Sequence, residues 1–175
     1  MKRVLVLGQA GAGKSHFAVA LGAITGLPVF HMDRVHWRPG GQERDREERN
    51  RLVHEIMSGD EWILEGGLSA TSPEPMARAD TAIWLDLPLG ARIRRILGRR
   101  WRLRGARIRP GVADICPERP NPGFLCFLWR TRRSARERIA AALAAAPHLT
   151  VHRIRTRAGA DTFLEWLRDD VQDHG

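Results

Sequence analysis

Short apolar runs alternate along the chain with longer segments that mix apolar and charged residues. Runs rich in Val, Ile, Leu and Trp are typical of strands that are buried on both faces of a sheet. Five such runs are found, at residues 2–7, 28–32, 62–65, 81–87 and 148–155. We therefore predict five strands.

The segments between these runs carry apolar residues at helical spacing. In the first of them Phe17, Leu21 and Ile24 lie on one helical face, and Gly26 follows where a helix C-cap belongs. The pattern predicts helices at residues 15–25, 42–58, 89–104, 123–146 and 161–171, and a loop rich in Gly and Pro at 105–122. Strands that alternate with helices predict an α/β fold with a parallel sheet covered on both faces. The length of 175 residues suits a single domain, residues 1–175.

The turn after the first predicted strand reads GQAGAGKS, residues 8–15, and matches the P-loop pattern G-x-x-x-x-G-K-[ST]. Its glycines let backbone N–H groups converge on a polyphosphate, and the N-terminus of the following helix adds a favourable dipole. Lys14 is placed to reach the β- and γ-phosphates, and the Ser15 hydroxyl is placed to ligate Mg²⁺. The sequence therefore predicts a site for ATP and Mg²⁺ formed by Gly8, Gly11, Ala12, Gly13, Lys14, Ser15 and His16.

Phosphate binding by itself fits GTPases, motor-type ATPases and small kinases. A GTPase would carry an NKxD-type motif that reads the base, and this sequence contains none. A large ATPase needs a longer chain than 175 residues. The sequence therefore favours a small kinase.

One acidic residue lies between two histidines in the stretch FHMDRVHW, residues 30–37. We place Asp33 at the carboxyl end of the second strand, beside the end of the strand that carries the P-loop, because ligands of open α/β sheets bind there. Its carboxylate is then placed to accept the proton of an acceptor hydroxyl, or to orient that acceptor. The alternatives are a turn capped by Asp33 and a metal site that includes His31 and His36.

Two further carboxylates end strands near the P-loop and are candidates for holding Mg²⁺ together with Ser15. Glu65 ends the third strand, and Asp86 ends the fourth in a WLD pattern. A carboxylate in such a position holds Mg²⁺ in other P-loop proteins, as the Walker-B Asp does. For Asp86, capping of the helix after Pro88 is an equal alternative.

The basic charge is concentrated in one part of the chain. The formal net charge is +9, whereas residues 92–138 contain fifteen Arg against three acidic residues, a balance of +12. Such a cluster indicates an anion site. Arg95 and Arg99 share one helix face and Arg130 and Arg133 share another. Because the planar guanidinium matches phosphate oxygens, these four are suited to stabilise a transferring phosphoryl group.

Other arginines are interpreted differently. Arg92, Arg94 and Arg102 are expected on a solvated helix face. Arg157 follows the fifth strand, where it would either stack on the adenine of ATP or lie in solvent. Arg99 is also a candidate for binding ATP.

Several further stretches carry a family resemblance. They are RILGRR at 95–100, DTAIWLD at 80–86, and the series HMDRVHWRPG, EWILEGG and ARADTAIWLDLP at 31–40, 61–67 and 77–88. With the P-loop, they resemble adenylate-kinase-related P-loop kinases, in particular the branch called DNA topology modulation proteins. The resemblance implies a five-stranded parallel sheet in the order 2-3-1-4-5, a small, mobile Arg-rich lid at about residues 105–122, and the use of ATP and Mg²⁺. The chain departs from adenylate kinases proper at EGGLSA, residues 65–70, where they carry D-G-F-P-R with an Arg that grips AMP.

Together these observations predict an ATP-dependent phosphotransferase that moves the γ-phosphoryl group to a small acceptor, either a nucleotide or a hydroxylated metabolite. The alternative is a nucleotide-regulated nucleic-acid-binding protein, or a nucleic-acid end kinase, whose basic segment contacts backbone phosphates. No aromatic stacking platform or recognition module accompanies the arginines, so nucleic acid is not favoured as a partner.

No signal-peptide layout or apolar stretch of membrane-spanning length is found. We expect a cytoplasmic monomer or homodimer that does not associate with membranes.

Overall fold

The computed structural model describes residues 1–67, 71–102 and 122–174. Within these ranges it describes all side chains except those of Arg99, Arg100, Arg102, Pro122 and His174. The lid predicted at 105–122 therefore lies outside the described residues, apart from Pro122, which begins a helix.

The described residues form five strands and seven helices, with one or two helices between successive strands. The strands are β1 (Arg3–Gly8), β2 (Val29–His31), β3 (Trp62–Gly66), β4 (Thr81–Leu85) and β5 (Thr150–Ile154). The helices are α1 (Lys14–Thr25), α2 (Met32–His36), α3 (Arg46–Ser58), α4 (Pro73–Arg78), α5 (Leu89–Arg102), α6 (Pro122–Ala144) and α7 (Arg157–His174).

The strands form one parallel sheet in the order β2-β3-β1-β4-β5, which confirms the predicted fold class and strand order. All strand ends that carry candidate site residues therefore lie at one edge of the sheet. Val6 is in register with Glu65 of β3, and Leu7 is in register with Trp84 of β4. Glu65 is also in register with His31 of β2.

Each face of the sheet is covered by its own layer of helices. Alternate residues of the strands point to opposite faces, so each strand contributes to both layers. One layer joins α2, α3, α4 and α6 to the face that includes Leu5, Leu7, Trp62, Leu64, Ala82 and Trp84. The other layer joins α1 and α7 to the face that includes Val4, Val6, Ile63, Ile83 and Leu85.

Several element boundaries differ from those predicted. Helix α3 begins at Arg46 and not at residue 42, because the Asp45 side chain caps it by accepting from the Glu48 N–H at 2.8 Å. The last helix begins at Arg157 and not at residue 161, because the Thr156 hydroxyl accepts from the Gly159 N–H at 3.0 Å. The short helices α2 and α4 were not predicted, since five or six residues are too few to show a helical period.

Among the described residues, no helix combines the length and the apolar character that crossing a membrane requires.

Candidate active site

The P-loop connects the end of β1 at Gly8 to the start of α1 at Lys14. Gly11 and Gly13 adopt φ angles of +81° and +93°, a left-handed conformation that glycine enters without steric cost. The Ala12 N–H donates to the Gln9 carbonyl at 3.1 Å and closes the turn between them. The loop therefore delivers the chain directly into the N-terminus of α1, whose unpaired N–H groups favour an anion.

A buried carboxylate lies against the first turn of α1. Glu65 at the end of β3 is 2% exposed, and its Oε1 accepts from the Ser15 hydroxyl at 3.0 Å. The same oxygen lies 2.8 Å from Nδ1 of His31, which is also buried. P-loop, β3 and β2 thus meet at one oxygen atom.

Glu65 is ionised despite its burial. Desolvation by itself would raise the pKa of this carboxyl group, but the hydrogen bond from His31, the charge of Lys14 and the hydrogen bond from Ser15 together lower the pKa below its ordinary value. An ionised carboxylate only accepts hydrogen bonds, so Nδ1 of His31 carries a proton. The site therefore holds a fixed negative charge next to Lys14 and Ser15.

Asp86, the second candidate for Mg²⁺, is already held by two arginines. Arg136 of α6 donates from Nε and Nη2 to both carboxylate oxygens at 2.9–3.1 Å, and Arg153 of β5 donates to Oδ2 at 3.0 and 2.6 Å. The Arg153 guanidinium also stacks on the Trp84 ring at 4.4 Å. Five hydrogen bonds to one carboxylate leave little capacity for a metal ion, so the structure favours Glu65 over Asp86 for that role.

The first turns of α5 lie directly against the P-loop. A Cβ atom added to Gly13 would lie 2.4 Å from Nη2 of Arg95, so this guanidinium covers the last residue before α1. Arg92 is 2% exposed and donates from Nη1 to the Ala10 carbonyl at 3.1 Å. The structure thus brings the predicted Arg95 to the P-loop. The expectation that Arg92 lies on a solvated face is wrong, since it is buried beneath the loop.

Helix α6 approaches the P-loop with different residues from those predicted. The Gln9 side chain donates to the Arg132 carbonyl at 2.9 Å, and Arg136 reaches Asp86. Arg130 and Arg133 are exposed. Arg130 lies about 200° around the helix from the buried Leu128 and so faces away from the sheet.

A narrow cleft lies between the first turn of α1 and helix α7. Its cavity volume is about 60 Å³, well below the roughly 300 Å³ of ordinary ligand pockets, so a nucleobase would require it to widen. Arg157 and Asp161 of α7 form an exposed ion pair of 3.7 Å at this cleft. The cleft is lined by the predicted ATP ligands Ala12, Gly13, His16 and Arg157, and by Arg95.

Asp33 lies one strand further from the P-loop than predicted. It is an exposed residue of the short helix α2, which follows β2, and β3 separates β2 from β1. The placement directly beside the P-loop strand is therefore wrong, although Asp33 does lie at the same edge of the sheet.

Within the described part of the chain, no three His, Cys, Asp or Glu side chains form a group that could hold a metal ion, so the metal alternative gains no support.

The side chain of Arg99 falls outside the described residues, although its backbone continues α5. Three contacts near the P-loop were missed by the sequence reasoning: those of Arg92, Gln9 and Arg136. A signal was present only for Arg92, which precedes the buried Ile96 by one helical turn and so shares its face. Gln9 and Arg136 contact groups far away in sequence, and nothing in their local pattern indicates this.

Neither protein-family models nor curated proteins give a match to this sequence. The fold does match solved structures. The shikimate kinase from Bacteroides thetaiotaomicron gives a TM-score of 0.60 at 17% identity, covering 98% of both chains. The shikimate kinase from Acinetobacter baumannii in complex with shikimate gives 0.52 at 18% identity, covering 99% of this chain and 90% of that one. A sugar kinase from Janibacter sp. HTCC2649 gives 0.50 at 17% identity, covering 97% and 91%.

At such identities the likeness establishes the fold. This chain has the fold of P-loop kinases such as shikimate kinase, with the five-stranded parallel sheet that the sequence predicted. The finer resemblance to DNA topology modulation proteins is not confirmed by these comparisons.

Proposed function

We propose that this chain transfers the γ-phosphoryl group of ATP to a hydroxyl group of a small acceptor. The observation that carries the proposal is the contact between the P-loop helix and Glu65. It joins the Ser15 hydroxyl to a buried, ionised carboxylate beside Lys14. These are the three kinds of side chain that P-loop enzymes use to hold the phosphates of ATP and their metal ion.

The donor set fits Mg²⁺, which prefers hydroxyl, carboxylate and phosphate oxygens. Ser15 and Glu65 would hold it, and Asp86 would stay in its ion pairs with Arg136 and Arg153. Bound there, Mg²⁺ would neutralise part of the charge of the β- and γ-phosphates. His31 supports this role because its hydrogen bond fixes the orientation of the Glu65 carboxylate.

The chain's own residues divide the remaining work. Lys14 and Arg95 bring positive charge to the P-loop, where negative charge is spread over the γ-phosphoryl oxygens during transfer. The acceptor oxygen forms a bond to the γ-phosphorus as the bond to the bridging oxygen of ADP breaks. We assign Asp33 to the acceptor site. The Asp33 carboxylate takes up the proton of the acceptor's hydroxyl group. His16 and Arg157 would contact the nucleoside of ATP in the cleft beside α1.

A hydroxylated metabolite is favoured over a nucleotide as the acceptor. Solved structures of this fold include kinases whose names give shikimate or a sugar as the substrate class, and both are hydroxylated molecules. The stretch EGGLSA, which begins within β3 at Glu65, also lacks an Arg for the phosphate of a nucleotide acceptor.

Three arginines of the basic segment make contacts within the chain. Arg92 is buried, Arg136 is paired with Asp86, and Arg132 lies over the ring of Trp129 at 3.9 Å. These contacts occupy part of the basic segment. Fewer of its positive charges are therefore available to a phosphate backbone than its net charge indicates.

The test is to incubate the protein with ATP and Mg²⁺ and with three panels: hydroxylated metabolites, nucleoside monophosphates, and oligonucleotides with free ends. Products are identified by mass spectrometry. We expect a phosphorylated product in the first panel, and none with Lys14→Ala. A product formed only with oligonucleotides would overturn the proposal.

A further inference from the structure

Arg92 is the one arginine among the described residues that is fully buried, at 2% exposure. Burying a charged group is unfavourable unless other groups compensate for the lost hydration. A side chain that only packed at this place on α5 could be apolar. The contacts of the guanidinium therefore indicate what this residue does.

Among the described residues, the guanidinium makes one hydrogen bond, from Nη1 to the Ala10 carbonyl of the P-loop at 3.1 Å. Its Nε is buried and has no hydrogen-bond partner among the described residues. Desolvation lowers the pKa of Arg92, and the nearby Asp86 partly offsets this. The hydrogen bonds that the Asp86 carboxylate accepts come from Arg136 and Arg153, so Asp86 acts on Arg92 through its charge. The direct partner of Arg92 is thus the P-loop backbone.

The same turn of α5 also limits the space around Gly11, the residue that follows Ala10. A Cβ atom added to Gly11 would lie 2.8 Å from Cδ1 of Ile96 and 3.0 Å from the Arg92 carbonyl oxygen. Gly11 therefore packs closely on α5. Gln9, on the other side of Ala10, is tied to α6 through the Arg132 carbonyl. The loop is held from two helices.

The direction of one peptide group follows from this contact. In a trans peptide the carbonyl and the following N–H point in opposite directions. Because the Ala10 carbonyl points to Arg92, the Gly11 N–H points away from it. Backbone N–H groups that face the polyphosphate are the working part of a P-loop.

We propose that Arg92 is a positioning residue that fixes the Ala10–Gly11 peptide, so that the P-loop is preformed for phosphate, and that its buried charge adds to the attraction for the anion. The inference rests on the proposed function insofar as the P-loop binds the phosphates of ATP. It adds a residue outside the loop on which phosphate affinity depends.

The test measures binding of inorganic tripolyphosphate and of ATP by calorimetry, together with the melting temperature. Tripolyphosphate probes the loop without the nucleoside. Arg92→Gln removes the charge, and Arg94→Met is the matched control because it removes the charge of an exposed arginine from the same helix. We expect Arg92→Gln to weaken both ligands by a similar factor, at least about tenfold, which corresponds to about 1.4 kcal/mol. Arg94→Met should bind both as the unaltered protein does.

A purely structural role makes a different prediction. Arg92→Gln would then melt at a lower temperature but bind tripolyphosphate with unchanged affinity, and this result overturns the inference. If Arg92→Gln does not fold, Arg92→Lys decides, because it keeps the charge and a donor. The inference requires its affinity to stay within about threefold, and a loss of tenfold or more in the folded protein contradicts it. If the unaltered protein binds neither ligand, the proposed function itself fails.

Discussion

Replacing Gly13 by Ala should weaken ATP binding in addition to lowering the stability of the fold. Gly13 is the last residue before α1 and has a φ of +93°. The new Cβ atom would lie 2.4 Å from Nη2 and 2.7 Å from Cζ of Arg95, which is too close for the guanidinium to stay in place. The guanidinium is the end of a flexible side chain, so it should move away and leave the P-loop.

The magnitude has two parts. An L-residue in the left-handed conformation costs about 1–2 kcal/mol of stability. Loss of a charge-assisted hydrogen bond from Arg95 to a phosphate costs about 1.5–3 kcal/mol of binding, or a factor of roughly 10 to 150 in the dissociation constant. The first part should appear in the free energy of unfolding and the second in the affinity for ATP.

Gly26→Ala is the matched control. Gly26 also has a positive φ, +75°, and a Cβ atom there would meet nothing within 4 Å. It caps the other end of α1, about 18 Å from the P-loop by the rise of a twelve-residue helix. Chemical denaturation should show a similar loss of stability in both variants, whereas calorimetry should show weakened ATP binding only in Gly13→Ala.

A double-mutant cycle with Arg95→Ala isolates the cause. If Gly13→Ala acts by displacing Arg95, it should add little to the loss of affinity that Arg95→Ala already produces. Additive losses, or an unchanged ATP affinity in Gly13→Ala, would refute the argument that Arg95 binds phosphate at the P-loop.

The remaining predictions concern three carboxylates. Asp33→Asn should lower kcat by about 10²–10⁴-fold while the ATP dissociation constant stays constant; equal turnover would return Asp33 to a turn-capping role. Glu65→Gln should raise the Mg²⁺ concentration needed for half-maximal ATP binding by about 10–100-fold, and metal-free ATP should bind as before; Glu61→Gln is the exposed control. Asp86→Asn should lower the free energy of unfolding at pH 7 by about 2 kcal/mol, since it removes hydrogen bonds from two arginines. Burial alone would raise the pKa of Asp86, but these arginines lower it. Its contribution is therefore present above the unfolded pKa of about 3.9 and is lost as pH falls through the lower folded value. Denaturation at pH 7 and pH 3 should show the difference between the two proteins shrink in acid.

The local features of this fold were predictable from sequence. The P-loop is recognisable from a motif of eight residues, and the buried strands are recognisable as short apolar runs. Both can therefore be identified without knowledge of the surrounding structure. The strand order followed from the resemblance to P-loop kinases and is confirmed. The ends of the elements were less predictable, because side-chain caps such as Asp45 decide them.

The packing of the arginines could not be predicted. Arg92 was expected in solvent because arginine is common in this chain, and its partner is a backbone carbonyl 82 residues away. In α6 the alanine-rich sequence marks no clear apolar stripe, so the helix phase that turns Arg136 towards Asp86 and Arg130 away from the sheet was not visible. The position of Asp33 was misjudged because the order β2-β3-β1 places a strand between it and the P-loop. The single-domain organisation and the lid at 105–122 stay predictions.

The most direct test of the central claim follows ATP by ³¹P nuclear magnetic resonance in the presence of Mg²⁺ and a mixture of small hydroxylated metabolites. If the chain is a kinase of such acceptors, the γ-phosphate signal should disappear while ADP and a phosphate-monoester signal grow in equal amounts, and Lys14→Ala should produce neither. Growth of inorganic phosphate alone would identify a nucleotide hydrolase, and an unchanged ATP spectrum would identify a protein that binds nucleotide without transferring phosphate. Either result would contradict the account.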